Sequence, residues 1–257
     1  MRSIRVNVGD KNVNNAGSIM EVLEVKSASN ILVTFIDYDF ITETTCQNFE
    51  KGLVKCPYEP RVCNIGYLGV GKYMVSENGK DTRCAHTWRH MLKRCYDAYW
   101  INKHLTYKDC FSCEEWYNFQ NFAKWYEENY YEIEGETMCL DKDILIKGNK
   151  IYSPETCIFV PQRINLLFVK KDNYRGNLPV GVTYEKDRNK YVASCSVYEN
   201  KKHKQKKIGR YNTLEEAFTC YKNFKENYIK QVADEYKNLI PTKLYDAMYR
   251  YEVEIND

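Results

Sequence analysis

The 257 residues are 44% hydrophobic and include 23 tyrosines, enough to build packed cores and to exclude global disorder. No apolar run approaches the ~18 residues of a membrane span, and MRSIRVNVGD lacks the apolar centre of a signal peptide, so the expectation is a soluble, cytoplasmic protein with no membrane partner. A net charge of +3 excludes little about partners by itself; its distribution along the chain says more.

The length suggests two or three domains of roughly 100–150 residues each. We place their boundaries at 1–80, 81–172 and 173–257. Residues 17–75 read as β: SIMEVLEV and NILVTFIDY alternate or are β-branched, SASN is a turn between them, and QNFEKGLVKCPYEP reads as a further short strand. A small barrel-like or curled sheet would bury these faces. From Arg83 the period changes to that of a helix, with Trp88, Met91, Leu92 and Cys95 on one face. A second helix follows in CEEWYNFQNFAKWYEENY, with Ser112 as its expected N-cap and Trp116, Phe119, Phe122, Ala123 and Tyr126 on its apolar side.

The stretch CLDKDILIKGNKIYSPETC (139–157) predicts a hairpin. Asp141 to Ile146 and Lys150 to Tyr152 would be its strands, Lys147-Gly148-Asn149 its turn, and Ser153-Pro154-Glu155 a helix-starting cap. Pro161 then opens another helical segment, and DNYRGNLP reads as a linker. Residues 180–236 contain three short strands and a long amphipathic helix with Ala217, Tyr221, Phe224 and Tyr228 on its buried face. Thr213 and Glu216 have the spacing of a capping box at its start. A helical tail completes the 173–257 domain.

Eleven cysteines, an odd number, occur in a long chain and partly inside apolar runs such as YVASCSV, so they read as buried reduced thiols. Cys110 and Cys113 form a C-x-x-C, but no second pair stands at zinc-finger spacing. His86 and His90 stand at i, i+4, a metal-capable spacing, yet nothing of H-E-x-x-H type surrounds them and a surface or packing role is expected. Between Arg175 and Arg210, ten Lys and Arg face three acids, the footprint of a polyanion-binding face or of a solvated hairpin tip.

Two resemblances emerge from these residues. The 180–236 unit resembles the AP2 DNA-binding domain in its GV opening, its KYVA strand and its IGRYNTLEEAF strand-to-helix junction. The resemblance implies a sheet lying in the major groove of double-stranded DNA, with Tyr184, Arg188, Lys190 and Tyr191 as groove contacts. Lys201, Lys202, Lys204, Lys206 and Lys207 would reach phosphates, and Arg210 could do either. Residues 88–165 resemble a phage-type HNH endonuclease core in W-x-x-M-L-x-R-C-Y, C-x-E-W-x-x-F-x-x-F, Leu-Asp-Lys-Asp and Y-S-P-x-T-C.

The HNH resemblance implies a homing-type, divalent-metal-dependent DNA endonuclease using Mg2+ or a similar cation. Asp141 takes the place of the strand ligand and Asn149 that of the central Asn. Lys142 stands where the general-base histidine belongs, and an ordinary lysine, with a pKa of ~10.4, is protonated at pH 7. Thr156 replaces the helix ligand. Asp143 is a replacement ligand or base, since on a regular strand it shares a face with Asp141. Alternatively Lys142 clamps a scissile phosphate, or the carboxylates merely cap a turn. The fold class expected is therefore α+β: a β-barrel-like N-terminal domain, an HNH-like core, and an AP2-like sheet plus helix. Three functions stay open: a phage DNA endonuclease, a catalytically silent DNA-binding or regulatory protein in the host cytoplasm, and a phage protein that binds and inhibits a host protein.

Overall fold

Alternating apolar positions build the first sheet. Lys11–Val13 (β1), Ile19–Ser27 (β2), Asn30–Phe35 (β3) and Phe40–Thr44 (β4) pair in that order, all antiparallel. Met20 and Val22 of β2 and Ile31, Val33 and Phe35 of β3 face one core with Cys46, Phe49 and Val54. Each such side chain, once fully buried, contributes about 1.5–3 kcal/mol. The computed structural model describes residues 5–169, 178–199 and 202–255. Among these, β1 and β4 are not paired to each other, so the sheet is open and the barrel-like expectation is corrected. QNFEKG is likewise not a strand. Cys46–Glu50 forms helix α1, because the Thr45 hydroxyl accepts the Asn48 N–H at 3.1 Å and Cys46 and Phe49, one turn apart, are both buried.

Contacts divide the chain into two compact units, Met1–Glu128 with Ile151–Ser153 and Asn129–Lys150 with Pro154–Asp257. Residues 81–172 contribute to both. Each unit mixes helices with small sheets, making the protein α+β.

In unit 1 a short hairpin, Ser76–Glu77 (β5) and Lys80–Asp81 (β6), leads into helix α2 (Arg83–Tyr96), capped by Thr82. Trp88, Met91, Leu92 and Cys95 are buried, as the periodicity predicts. Helix α3 (Ala98–Lys103) follows, then the short strand β7 (Phe111–Ser112) and, after a 3-10 turn at Glu114–Tyr117, helix α4 (Phe119–Asn129). Ser112 is not the cap expected of it. Its buried hydroxyl donates to the Cys113 carbonyl at 3.2 Å, and the Asn118 side chain instead accepts the Gln120 N–H at 3.0 Å. Trp116, Phe122 and Trp125 pack as a cluster, with the Trp116 and Trp125 ring centroids 4.8 Å apart.

Unit 2 begins its sheet structure with β8 (Met138–Asp141). The next strand in sequence, β9 (Ile151–Tyr152), runs parallel to β7 in unit 1. β8 pairs instead with β10 (Ile158–Pro161), Asp141 opposite Ile158. The expected 141–152 hairpin is thus a loop, and Ser153-Pro154-Glu155 is a turn leading into β10 rather than a helix start. Helix α5 (Gln162–Phe168) starts after Pro161, and the expected linker 172–179 lies largely outside the described residues.

Three antiparallel strands then form a sheet in sequence order, β11 (Val182–Glu185), β12 (Lys190–Glu199) and β13 (Lys202–Tyr211). Helix α6 (Leu214–Tyr236) carries the complete Thr213–Glu216 capping box and packs Ala217 and Tyr221 against Val182, Ala193 and Cys195. Its second half buries Ile229, Val232 and Ala233 in another core with β10, α5 and helix α7 (Thr242–Arg250). Gly181 opens β11 at φ +77°, and a Cβ there would meet the Tyr221 ring at 2.1 Å, so the GV opening answers to both backbone conformation and helix–sheet approach. Among the described residues no helix is long and apolar enough to cross a membrane.

Candidate functional site

The 139–157 segment is organised around Asp141. Its Oδ1 accepts the backbone N–H groups of Asp143 at 2.9 Å and Ile144 at 2.8 Å, which closes a turn and ends β8 there. Asp143 therefore does not continue a strand beside Asp141. The two carboxylates are still near enough to interact. Burial first, and the Asp143 charge second, raise the Asp141 pKa to about 6.

Lys142 is turned into this loop and is 6% exposed. Its ammonium donates to Asp143 Oδ2 at 3.0 Å and to the Asn149 carbonyl at 3.1 Å, while Asn149 Nδ2 donates back to the Lys142 carbonyl at 2.7 Å. The structure thus brings Asp141, Lys142, Asp143 and Asn149 into one hydrogen-bonded loop. Thr156 is half-buried, two residues before Ile158, the partner of Asp141 in the β8–β10 pair. Among the described residues no group of three or more His, Cys, Asp or Glu is placed to hold a metal ion.

The basic residues of 184–210 gather on and around the sheet β11–β12–β13, with Lys201 outside the described residues. Strand alternation divides them. Ala193 and Cys195 point toward α6, so Lys206, opposite Cys195, lies on that side, with its ammonium 5.3 Å from the Phe224 ring centroid. Lys204 and Lys202 follow on the same side by alternation. Lys207, opposite Ser194, and Arg210, opposite Val192, lie on the open face. Every residue from Lys202 to Lys207 is exposed. Among the described residues, no carboxylate is within ion-pair distance of Lys202, Lys204 or Lys206.

On the open face, one of the three acids of this stretch sits between two of its cations. Glu185 accepts from Lys207 Nζ at 2.7 Å and from Arg210 Nε at 2.7 Å. These hydrogen bonds, Arg210's the larger influence, lower its pKa to about 2. The usable signal was its place at the end of β11, across the hairpin from Lys190. Lys190 itself reaches the Asn212 side chain. Tyr184 and Tyr191 have ring centroids 5.0 Å apart; Tyr191 packs against the α6-side core, whereas Tyr184 is 40% exposed. Arg188 is exposed in the 3-10 turn between β11 and β12. The sheet can therefore offer exposed cations from both of its faces and one aromatic ring.

All eleven cysteines are free thiols, six of them buried, including Cys110 of the C-x-x-C. No protein-family model, curated protein or solved structure matches the chain.

Proposed function

We propose that this chain is a DNA-binding protein on a phage-type HNH/AP2-like scaffold, and that it grips duplex DNA through the sheet β11–β12–β13. The observation that carries this reading is β13: a ten-residue strand whose exposed segment 202–207 sends Lys207 to the open face and Lys202, Lys204 and Lys206 to the α6 side, the last three without a carboxylate partner among the described residues, so that cations flank the sheet on both sides. Such a strand neutralises phosphates and releases their counterions. An antiparallel three-stranded sheet with one helix behind it also supports the AP2-like part of the reading, since a sheet or ribbon can enter the major groove. Replacing Lys201, Lys202, Lys204, Lys206 and Lys207 together by alanine should weaken duplex binding. It should also flatten the log–log salt dependence by roughly 0.9 for each phosphate that is no longer neutralised. Unchanged affinity and slope would remove the basis of the proposal.

For the 139–157 loop the same proposal assigns a structural role in place of hydrolysis. A hard divalent cation takes several charged or carbonyl oxygens. Here Asp141 Oδ1 is engaged by two backbone N–H groups, Asp143 is matched by the Lys142 ammonium, and Thr156 offers a neutral hydroxyl. This donor set fits Mg2+ poorly, and we derive no cleavage step through a metal. Plasmid nicking by the wild type with Mg2+ or Mn2+, lost in Asp141→Ala, would reverse this assignment in favour of the endonuclease.

A further inference from the structure

Unit 1 carries a second concentration of positive charge. Between residues 83 and 108 stand six Lys and Arg and a single acid, Asp97, together with three of the chain's four histidines. The acid is committed locally: its Oδ1 caps α3 by accepting the Trp100 N–H at 2.9 Å. Helix α2 contains no carboxylate at all, in fourteen residues with Arg83, Arg89, Lys93 and Arg94.

The helix is two-sided. Ala85, Trp88, Met91, Leu92 and Cys95 are buried, while Arg83, His86 and Lys93 are exposed and Arg89, His90 and Arg94 half-exposed. Arg89 pairs with Asp81 of β6. Among the described residues, Lys93 and Lys103 have no carboxylate within ion-pair distance. Aromatic rings interleave with these cations. The His86 and His90 rings lie 4.1 Å apart, Trp100 and His104 4.6 Å, and the Arg94 guanidinium is 5.4 Å from the Tyr107 ring centroid. Tyr99 on α3 is 75% exposed.

Such an excess of cations on two consecutive helices, which meet where the His90 and Trp100 ring centroids lie 6.4 Å apart, calls for a polyanion. The open side of α2 bears no bulky apolar group that would enter a bilayer, whereas an exposed tyrosine beside lysines suits nucleic acid, whose bases stack and whose phosphates pair. We propose that the α2–α3 face is a second nucleic-acid-binding surface, with Arg83, Lys93 and Lys103 on phosphates and Tyr99 stacking on an unpaired base. This proposal does not depend on the sheet β11–β13; it stands or falls on variants of unit 1.

The test uses the full chain with Arg83, Lys93 and Lys103 all changed to Gln, with Tyr99→Ala, and with the β13 lysine variant as a separate protein. Circular dichroism of each variant checks that exposed-site changes leave the fold intact. Probes are a short DNA duplex, oligothymidine and phosphatidylserine vesicles. The triple variant should bind both DNAs about tenfold more weakly, with a salt slope flatter by roughly 2–3. Tyr99→Ala should weaken oligothymidine binding more than duplex binding. If the triple variant keeps wild-type affinity and slope on both DNAs, or loses binding to vesicles alone, the proposal is overturned. Failure of the sheet reading would appear instead as full DNA affinity in the β13 variant, a result that leaves the unit 1 comparison intact.

Discussion

Lys142 and Asn149 hold each other across the loop that follows β8, each side chain bonded to the other's backbone carbonyl. The Lys142 carbonyl receives the Asn149 amide at 2.7 Å, and the buried ammonium donates to the Asn149 carbonyl at 3.1 Å. Asn149→Ala removes the first bond and leaves a carbonyl without that donor. We expect a loss of about 1–2 kcal/mol in urea unfolding, because an abandoned polar group near a buried one keeps its desolvation penalty. DNA affinity should be unchanged. A drop in affinity at unchanged stability would move Asn149 from the loop's frame to the DNA interface.

Asp141 has a folded pKa of about 6, above its ordinary value, so the folded state holds its proton more tightly than the unfolded chain does. Between the two values the folded protein binds more protons, and stability falls as pH rises through that window. Asn at this position keeps the Oδ1 acceptor for Asp143 N–H and Ile144 N–H and removes both the buried charge and its repulsion from Asp143. Asp141→Asn should therefore be more stable than wild type by on the order of 2 kcal/mol at pH 7, with the advantage gone at pH 4. Asp141→Ala, which also loses the acceptor, should gain less or lose stability. Thermal melts across that range read the difference; a pH-independent effect of Asp141→Asn would mean that neither burial nor the Asp143 charge penalises the ionised carboxylate.

Much of this fold is legible where one periodicity dominates. Trp88, Met91, Leu92 and Cys95 are buried as their spacing requires, and the Thr213–Glu216 box forms where its residues stand. Legibility fails where a single polar side chain decides. Asp141 takes two backbone N–H groups and so ends a strand that the apolar run Ile144 to Ile146 would otherwise extend. Thr45 likewise converts QNFEKG from an apparent strand to a helix. At the basic sheet the charge was visible, and alternation alone parts Lys206 from Lys207, but only the pairing with Cys195 and Ser194 shows that Lys206 is the one on the α6 side. Glu185 is visible in the sequence as one of three acids, but its hold on Lys207 and Arg210 shows only once the three strands are paired.

Lys225 of α6 is 9% exposed, and burial lowers its pKa. Among the described residues it has no ion-pair partner, and the nearby Cys195 thiol is itself pushed up by burial. A base with a lowered folded pKa binds fewer protons folded than unfolded, so stability rises with pH as it approaches the ordinary lysine value. Lys225→Met keeps an unbranched side chain one atom shorter than lysine's and removes the charge. It should stabilise the protein by about 1–2 kcal/mol at pH 7 and flatten the alkaline limb of the stability profile. Equal or lower stability in the methionine variant would mean that the ammonium is well solvated.

Glu185 stands on the open face where a phosphate oxygen would stand if the sheet lay on DNA, because its carboxylate holds both Lys207 and Arg210. That contact has two opposite consequences for binding. As an internal anion it competes with the polyanion for two cations; as a brace it keeps Arg210 extended over the sheet. The strong lowering of its pKa keeps it charged at every pH where DNA is duplex, so competition is always present. The surface position and solvent screening limit the bracing contribution. Competition should therefore win: Glu185→Gln is expected to raise duplex affinity several-fold and to steepen the salt slope by up to roughly 2, one unit for each cation released to a phosphate. The same variant in the β13 lysine background should gain less, since Lys207 is then absent. Weaker binding by Glu185→Gln with an unchanged slope would show bracing to be dominant, and would make Glu185 a positioning residue for Arg210 rather than its competitor.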